Sequence, residues 1–310
     1  MRFGVCLFLL SVLVGCSARG PYHVTPDTRD DSLLATVKGQ APTDSLAHFI
    51  EKVRTAAAEA TPPERKPLAR AEALSPQLTA AIAAAEASPS APAYRVVASE
   101  YVRLGVEEMA HEYLDKAAAI EPRDSLTYQA RARMWRNGGF PERALSDAHR
   151  AVYFAPLSAA AHSTLGTVLQ ALGRHAEARR EYERAVALDP AAAYALNNLC
   201  YAWILERQPV RAIKACRAAV DQDTTLRVAW NNLGLAYASS GNIDAARAAF
   251  EAAGDRAAAR YNLGVVQLAR RRYADAVTAF AEAQHIRPNW RMAAVRARQA
   301  QKLANGGAEE

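Results

Sequence analysis

Four cysteines, seven histidines and a recurring asparagine have the strongest claim to chemistry in this 310-residue chain. The histidines stand alone. His111-Glu112 begins like the zinc-binding helix of a metalloprotease, but Asp115 stands where the second histidine is needed. The sequence contains no phosphate-cradling glycine loop, no G-x-S-x-G elbow and no paired-cysteine metal motif. Its Asp and Glu residues fall at helical surface spacing beside Arg and Lys, the pattern of solvated faces. No catalytic residue, metal site or cofactor is therefore expected. Asn198, Asn232 and Asn262 are different. Helix propensity disfavours asparagine, yet each immediately precedes the leucine of a Leu-Cys or Leu-Gly pair. A side chain that both donates and accepts matches the needs of a peptide backbone. Bonding to a neighbouring helix is the alternative use.

What the cysteines mean depends on the N-terminus. Met1-Arg2 is followed by an apolar run from Val5 to Val14, and Gly15-Cys16 ends it. One basic residue, a short apolar core and a small-residue exit describe a secretory signal. The core is shorter than the roughly 20 residues that a spanning helix needs. This end resembles a bacterial lipoprotein signal, whose lipobox is filled by Leu13, Val14, Gly15 and Cys16. The resemblance implies that residues 1–15 are removed, Cys6 with them, and that Cys16 becomes an acylated first residue. Several acyl chains at about 0.8 kcal/mol per buried CH₂ make such an anchor stable. Ser17 stands where an aspartate would signal inner-membrane retention. The expected location is thus the bacterial envelope, at the outer membrane and facing the periplasm. Residues 16–42 are polar and lack an apolar period, so they read as a disordered tether reaching about 25–30 Å.

Regular structure is expected from residue 43. Thr43, Asp44 and Ser45 offer N-caps, and Leu46, Phe49, Ile50 and Val53 form an apolar helical stripe. Ser75-Pro76 reads as an N-cap with proline in the first turn of a helix through Leu78 and Ile82. Ser88-Pro89-Ser90 ends it, so residues 43–90 form an N-terminal helical extension. Beyond it a period is countable: Pro122, Pro156 and Pro190 recur every 34 residues, and Pro288 closes a shifted copy. Between the prolines lie a small residue in mid-helix, a glycine turn in most copies, and a second helix bearing alanine and then a bulky ring. Six units follow, at approximately 91–124, 125–158, 159–192, 193–226, 227–256 and 257–290. Leu233 and Leu263 are only 30 residues apart. Four residues are roughly one helical turn, so a shortened second helix and a change of curvature are predicted in the fifth unit. Residues 289–304 read as a capping helix and 305–310 as a tail.

Trp230, Leu233, Gly234 and Tyr237, then Ala246 and Phe250, resemble the tetratricopeptide (TPR) pattern W-x2-L-G-x2-Y…A-x3-F…P. The resemblance runs through about two-thirds of the chain. It implies an all-α solenoid, a right-handed superhelix of antiparallel helix pairs, with extra N-terminal helices and a C-terminal cap. In such folds the first helices line a concave face that binds extended peptides. The resemblance then assigns Asn198, Asn232 and Asn262 to a clamp on a ligand backbone, flanked by Tyr201 and Tyr261, with Tyr194, Asn197 and Asn231 nearby. Arg133 and Arg136, beside Arg95 and Arg103, make the N-terminal part of that face basic. This suits an acidic segment or a terminal carboxylate.

Cys200 occupies the small-residue slot of its first helix and Cys216 the ring slot of its second, at similar distances from the Glu206–Pro209 turn. Antiparallel packing brings them level, which permits a disulfide in an oxidising compartment; two buried thiols are the alternative. Closing about 15 residues would contribute roughly 3 kcal/mol. The net charge of +6 is spread over interleaved residues, with no Lys/Arg-rich block or basic helix to suggest nucleic acid. The sequence thus describes a lipid-anchored adaptor that binds an extended segment of a partner protein and serves an envelope complex. An envelope solenoid that binds glycan or peptidoglycan is the alternative. The oligomeric state is not encoded in any motif.

Overall fold

A computed structural model of the chain describes residues 75–306, which hold fourteen helices and no strand. The chain divides into two compact units. The smaller spans residues 19–88 and contributes one described helix, α1 (Pro76–Ala87). Ser75 caps it by accepting the Leu78 N–H at 3.2 Å, Pro76 sits in its first turn, and Leu78 and Ala85 are its buried residues. Residues 1–74 and 307–310, with Cys16 and the tether, lie outside the described residues.

The larger unit holds the other thirteen helices, from Pro89 onward. They are α2 (Ala91–Arg103), α3 (Glu107–Ile120), α4 (Ser125–Asn137), α5 (Pro141–Phe154), α6 (Ala159–Ala171) and α7 (His175–Leu188). Then come α8 (Ala193–Leu205), α9 (Pro209–Gln222), α10 (Arg227–Ser239), α11 (Ile243–Ala252), α12 (Arg256–Ala269), α13 (Tyr273–Ile286) and α14 (Arg291–Ala304). They pair as six hairpins, α2/α3 to α12/α13, with α14 packed on α13. Each second helix also packs on the first helix of the next hairpin, giving the all-α solenoid that the period predicts.

The spacing works because two slots meet across every hairpin. In three hairpins the small residue is glycine and the ring rests on its backbone. A Cβ added to Gly166 would come within 2.5 Å of Tyr182, and one on Gly234 within 2.4 Å of Phe250. Gly264 faces Phe280 in the same way, at 2.7 Å. Where the ring slot is smaller, the facing residue is larger: Ala132 with Ala148, Cys200 with Cys216 and Ala98 with Leu114, all fully or almost fully buried. The compensation is partial at Ala132 and Ala148, because two alanines fill less space than a glycine facing a ring.

The hairpin turns use a left-handed residue. Glycine takes it in four hairpins, but Arg207 (φ 56°) and Arg271 (φ 60°) take it in the fourth and sixth. The fifth hairpin is short, as predicted: α11 has 10 residues where the other second helices have 14. Gly254 ends it at φ 80°, and Asp255 caps α12 by accepting the Ala258 N–H at 3.0 Å. First helices of successive hairpins pack side by side up to α10, whereas contact between α10 and α12 is sparse.

Candidate functional site

The face lined by first helices collects most of the residues that the sequence nominates, but it uses them in two ways. The asparagines form a ladder between hairpins. Asn198 Nδ2 donates to Ser163 Oγ at 3.0 Å, Asn232 Nδ2 to Asn197 Oδ1 at 2.9 Å, and Asn262 Nδ2 to Asn231 Oδ1 at 3.0 Å. Asn232 is 2% exposed and Asn262 is fully buried. These bonds hold each repeat to the one before it, which is the alternative use that the sequence offered for the asparagines. Each amide reaches the residue just before its own slot in the preceding repeat, Ser163, Asn197 or Asn231, so two adjacent polar positions per repeat build the ladder. Tyr261 is reassigned. It is fully buried, stacked on Trp290 at 4.8 Å and tilted against Phe280 at 5.4 Å, so it seats the capping helix.

The arginines divide differently. Arg95 pairs with Asp124, and Arg103 pairs with Glu100 at 2.7 Å, so both are neutralised. Arg133 and Arg136, on α4, have no acidic partner among the described residues. Arg136 donates only to the neutral Asn137 Oδ1, at 2.8 and 3.2 Å. Burial lowers the pKa of both, and the Arg136 charge lowers that of Arg133 further. Arg133 keeps an exposed side chain. Guanidinium stays charged under such shifts, so the two form an unopposed double charge. Arg136 acts on Tyr182, whose phenol burial pushes up while the arginine pulls it back. Tyr182 donates to Gln170 Oε1 at 3.2 Å, and half-buried Tyr201 lies near enough to act on it electrostatically. Arg133, Arg136, Gln170 and Tyr201 thus frame one polar region over α4, α6 and α8.

Cys200 and Cys216 are joined as a disulfide with Cα atoms 5.2 Å apart, within the range for unstrained bridges. Among the described residues no three metal-ligating side chains cluster, and no helix is long and apolar enough to cross a membrane. Sequence reasoning missed a charged closure in the second hairpin. Arg131 stands in the leucine slot and donates to buried Asp147 at 2.7 and 2.8 Å and to Asp115 at 2.6 Å. Its signal was available: a lone arginine where the other repeats carry Leu or Val, with an aspartate 16 residues on.

Comparison with known proteins agrees with this architecture. A tetratricopeptide repeat family model matches residues 163–226 and 231–289. Those hairpins are TPR units, and the fold is an all-α solenoid of that type. A chain of the APC/C hetero-tetramer Cut9–Hcn1 superposes with a TM-score of 0.62 at 21% identity. That match covers 72% of this chain and 45% of the other, so this chain spans under half its length. PilW, described as a widely conserved type IV pilus biogenesis factor, superposes with a TM-score of 0.59 at 18% identity. The match covers 68% of this chain and 98% of PilW. PilF of Pseudomonas aeruginosa gives 0.55 at 16% identity, over 68% and 96%. These likenesses are of fold. No curated protein matches the sequence.

Proposed function

We propose that the chain is a TPR adaptor that holds an extended, acidic segment of a partner protein on its first-helix face. The observation that carries this reading is the pair Arg133 and Arg136 on one helix, three residues apart, which no acidic side chain among the described residues opposes. A carboxylate arriving there meets two charges with no internal competitor, and charge-assisted bonds to arginine are the strong ones. Acylation at Cys16 would tether the adaptor to the outer membrane, facing the periplasm, where it would help assemble or localise an envelope complex. The lipobox-like run ending at Cys16 supports the choice of compartment.

Pull-down from detergent-solubilised envelope compares wild type with Arg133→Gln/Arg136→Gln. Loss of a partner from the variant is the expected result; retention of every partner sinks the reading. Cys16→Ala should release the protein from membranes, and persistent membrane association would refute the anchor. The glycan alternative is weakened by the burial of Tyr261, which leaves fewer rings on that face to stack on sugars. Binding to purified sacculi without any protein partner would restore it.

A further inference from the structure

Charge along the chain is less even than its sum suggests. Residues 256–304 hold ten Arg and Lys against two acidic residues, while the whole chain nets +6. The rest of the protein is therefore slightly acidic, and the basic character sits at the C-terminal end of the solenoid. This overturns the expectation that no helix is basic. α14 carries Arg291, Arg296, Arg298 and Lys302 and no acidic residue. Its inner side is anchored by Ala293 and Ala300, both fully buried. On the opposite side Arg291, Val295, Arg298 and Lys302 fall at i, i+4, i+7 and i+11, one ridge of a helix. All four are exposed, and Met292 and Leu303 are exposed on the shoulder beside them.

This ridge is not needed for folding. Arg291 opens the helix, where the macrodipole disfavours a cation, and Arg298 and Lys302 repel one another at i,i+4. Neither they nor the exposed Arg256, Arg270 and Arg271 form an ion pair within the described residues. A cleft beside the ridge, lined by Gln284, Asn289, Arg291, Val295 and Arg298, offers amide and guanidinium donors next to an apolar side chain.

We propose that this terminal face is a contact surface for an anionic phospholipid bilayer. The cations do not converge as a pocket for one carboxylate requires; they extend over about 16 Å of helix. Apolar Met292, Val295 and Leu303 stand among them. Mixed cationic and apolar side chains suit a headgroup layer with acyl chains beneath it. A solvated acidic polypeptide would leave those apolar groups uncovered. The cleft accepts a phosphodiester, and the ridge lies along the membrane surface. The contact is separate from the Arg133/Arg136 region and stands whether or not Cys16 is acylated.

The test uses the full chain carrying Cys16→Ala, so that no acyl chain contributes. Phosphatidylcholine vesicles are compared with and without phosphatidylglycerol, at low and physiological salt. Backbone hydrogen exchange across residues 291–304 is expected to slow with phosphatidylglycerol only, and less so as salt rises. Each basic residue near an anionic surface contributes roughly fivefold in partitioning, so Arg291→Gln/Arg298→Gln/Lys302→Gln should weaken binding about a hundredfold. These side chains point away from the core, and circular dichroism checks that helicity is kept. Arg291→Lys/Arg298→Lys should retain most of the binding, while Met292→Gln/Leu303→Gln should weaken it at unchanged charge. Exchange unaltered by phosphatidylglycerol, or slowed equally by phosphatidylcholine alone, overturns the proposal. So does protection of the same helix by polyglutamate but not by vesicles, which would assign the face to an acidic polypeptide.

Discussion

In the fifth and sixth hairpins Leu233 and Leu263 fill the leucine slot, and Phe250 and Phe280 press onto Gly234 and Gly264. In the second hairpin the leucine slot holds Arg131, and Ala148 stands where the ring would be. The third is intermediate: its Gly166–Tyr182 pair is apolar, but His162 takes the tryptophan slot, with its ring nitrogens 2.7 Å from Glu181 and 2.9 Å from the Pro156 carbonyl. One backbone plan is therefore closed by burial in the first, fifth and sixth hairpins and by charged hydrogen bonds in the second. The difference teaches what a repeat slot specifies. It specifies a volume and a direction, and leaves the chemistry open. Apolar closure contributes stability in proportion to buried area. Buried ion pairs contribute little net stability but penalise any misaligned arrangement. On this reading the second hairpin is held in register more than it is held together.

The largest test breaks the polar side of that contrast. Asp147→Ala leaves the Arg131 guanidinium, only 14% exposed in its side chain, without its bidentate partner. Removing one member of a buried pair costs about 3–5 kcal/mol, with the low end expected because Asp115 still reaches the same arginine. Arg131→Leu/Asp147→Leu should recover most of that loss, since an apolar pair then fills the slot as in the later hairpins. Urea denaturation measures both. Equal destabilisation of the single and the double variant would show that the ion pair does not close the hairpin.

The next test concerns the fourth hairpin, which stands between the two regimes. Its slot pair is Cys200 and Cys216, separated by 16 residues and bonded. A loop of this size corresponds to about 3 kcal/mol in the chain-entropy model. Reductant, or Cys200→Ala/Cys216→Ala, should therefore lower the unfolding free energy by about 2–3 kcal/mol. Non-reducing peptide mass spectrometry reports whether the bridge exists in protein from the native compartment. Free thiols with unchanged stability would return this hairpin to the purely apolar group.

A smaller effect should come from the turns. Arg207 and Arg271 hold the left-handed conformation that glycine supplies in four other hairpins. A left-handed L-residue costs roughly 1–2 kcal/mol, and glycine gives back part of that through the entropy of the unfolded chain. Arg207→Gly and Arg271→Gly should each stabilise by about 0.5–1 kcal/mol in denaturant titrations. A loss would mean that the arginine side chains make contacts worth more than the strain.

How much was legible in the sequence follows from the same contrast. Helix number, the turns, the shortened α11 and the cap were readable because spacing dictates them: a four-residue deletion has nowhere to go but out of a helix. The α1 cap at Ser75 was readable for a local reason, a side-chain oxygen one residue before a proline. For the asparagines the sequence left two uses open, a ligand clamp and a bond to a neighbouring helix, because a recurring slot can face either; the ladder is the second. Tyr261 was misplaced because its fate depends on Trp290, 29 residues downstream, a contact no pattern encodes. The α14 ridge went unread because its cations are diluted by alanine along the chain and gather only when the helix is wound.

The smallest effect tests the junction after the fifth hairpin, where α11 is cut short. Asp255 caps α12 there, with Arg287 Nη2 at 3.0 and 3.2 Å and Arg227 Nη2 at 3.6 Å. Partial burial would raise its carboxyl pKa, but the Ala258 N–H, Arg287 and Arg227 outweigh that and hold it below the usual carboxylate range. A carboxyl depressed in the folded state adds stability above its unfolded pKa, near 3.9, and that stability disappears as pH falls through the folded value. Asp255→Asn keeps a capping oxygen and removes the charge. Because the group is substantially solvated, the pair counts as a surface one, about 0.2–1 kcal/mol. The wild type should exceed the variant by that amount at neutral pH. The gap should begin to close only below the unfolded carboxylate pKa and vanish in stronger acid. Urea titrations of both proteins across that range check it. A gap independent of pH would mean that the cap's hydrogen-bond geometry, and not its charge, holds the compressed junction.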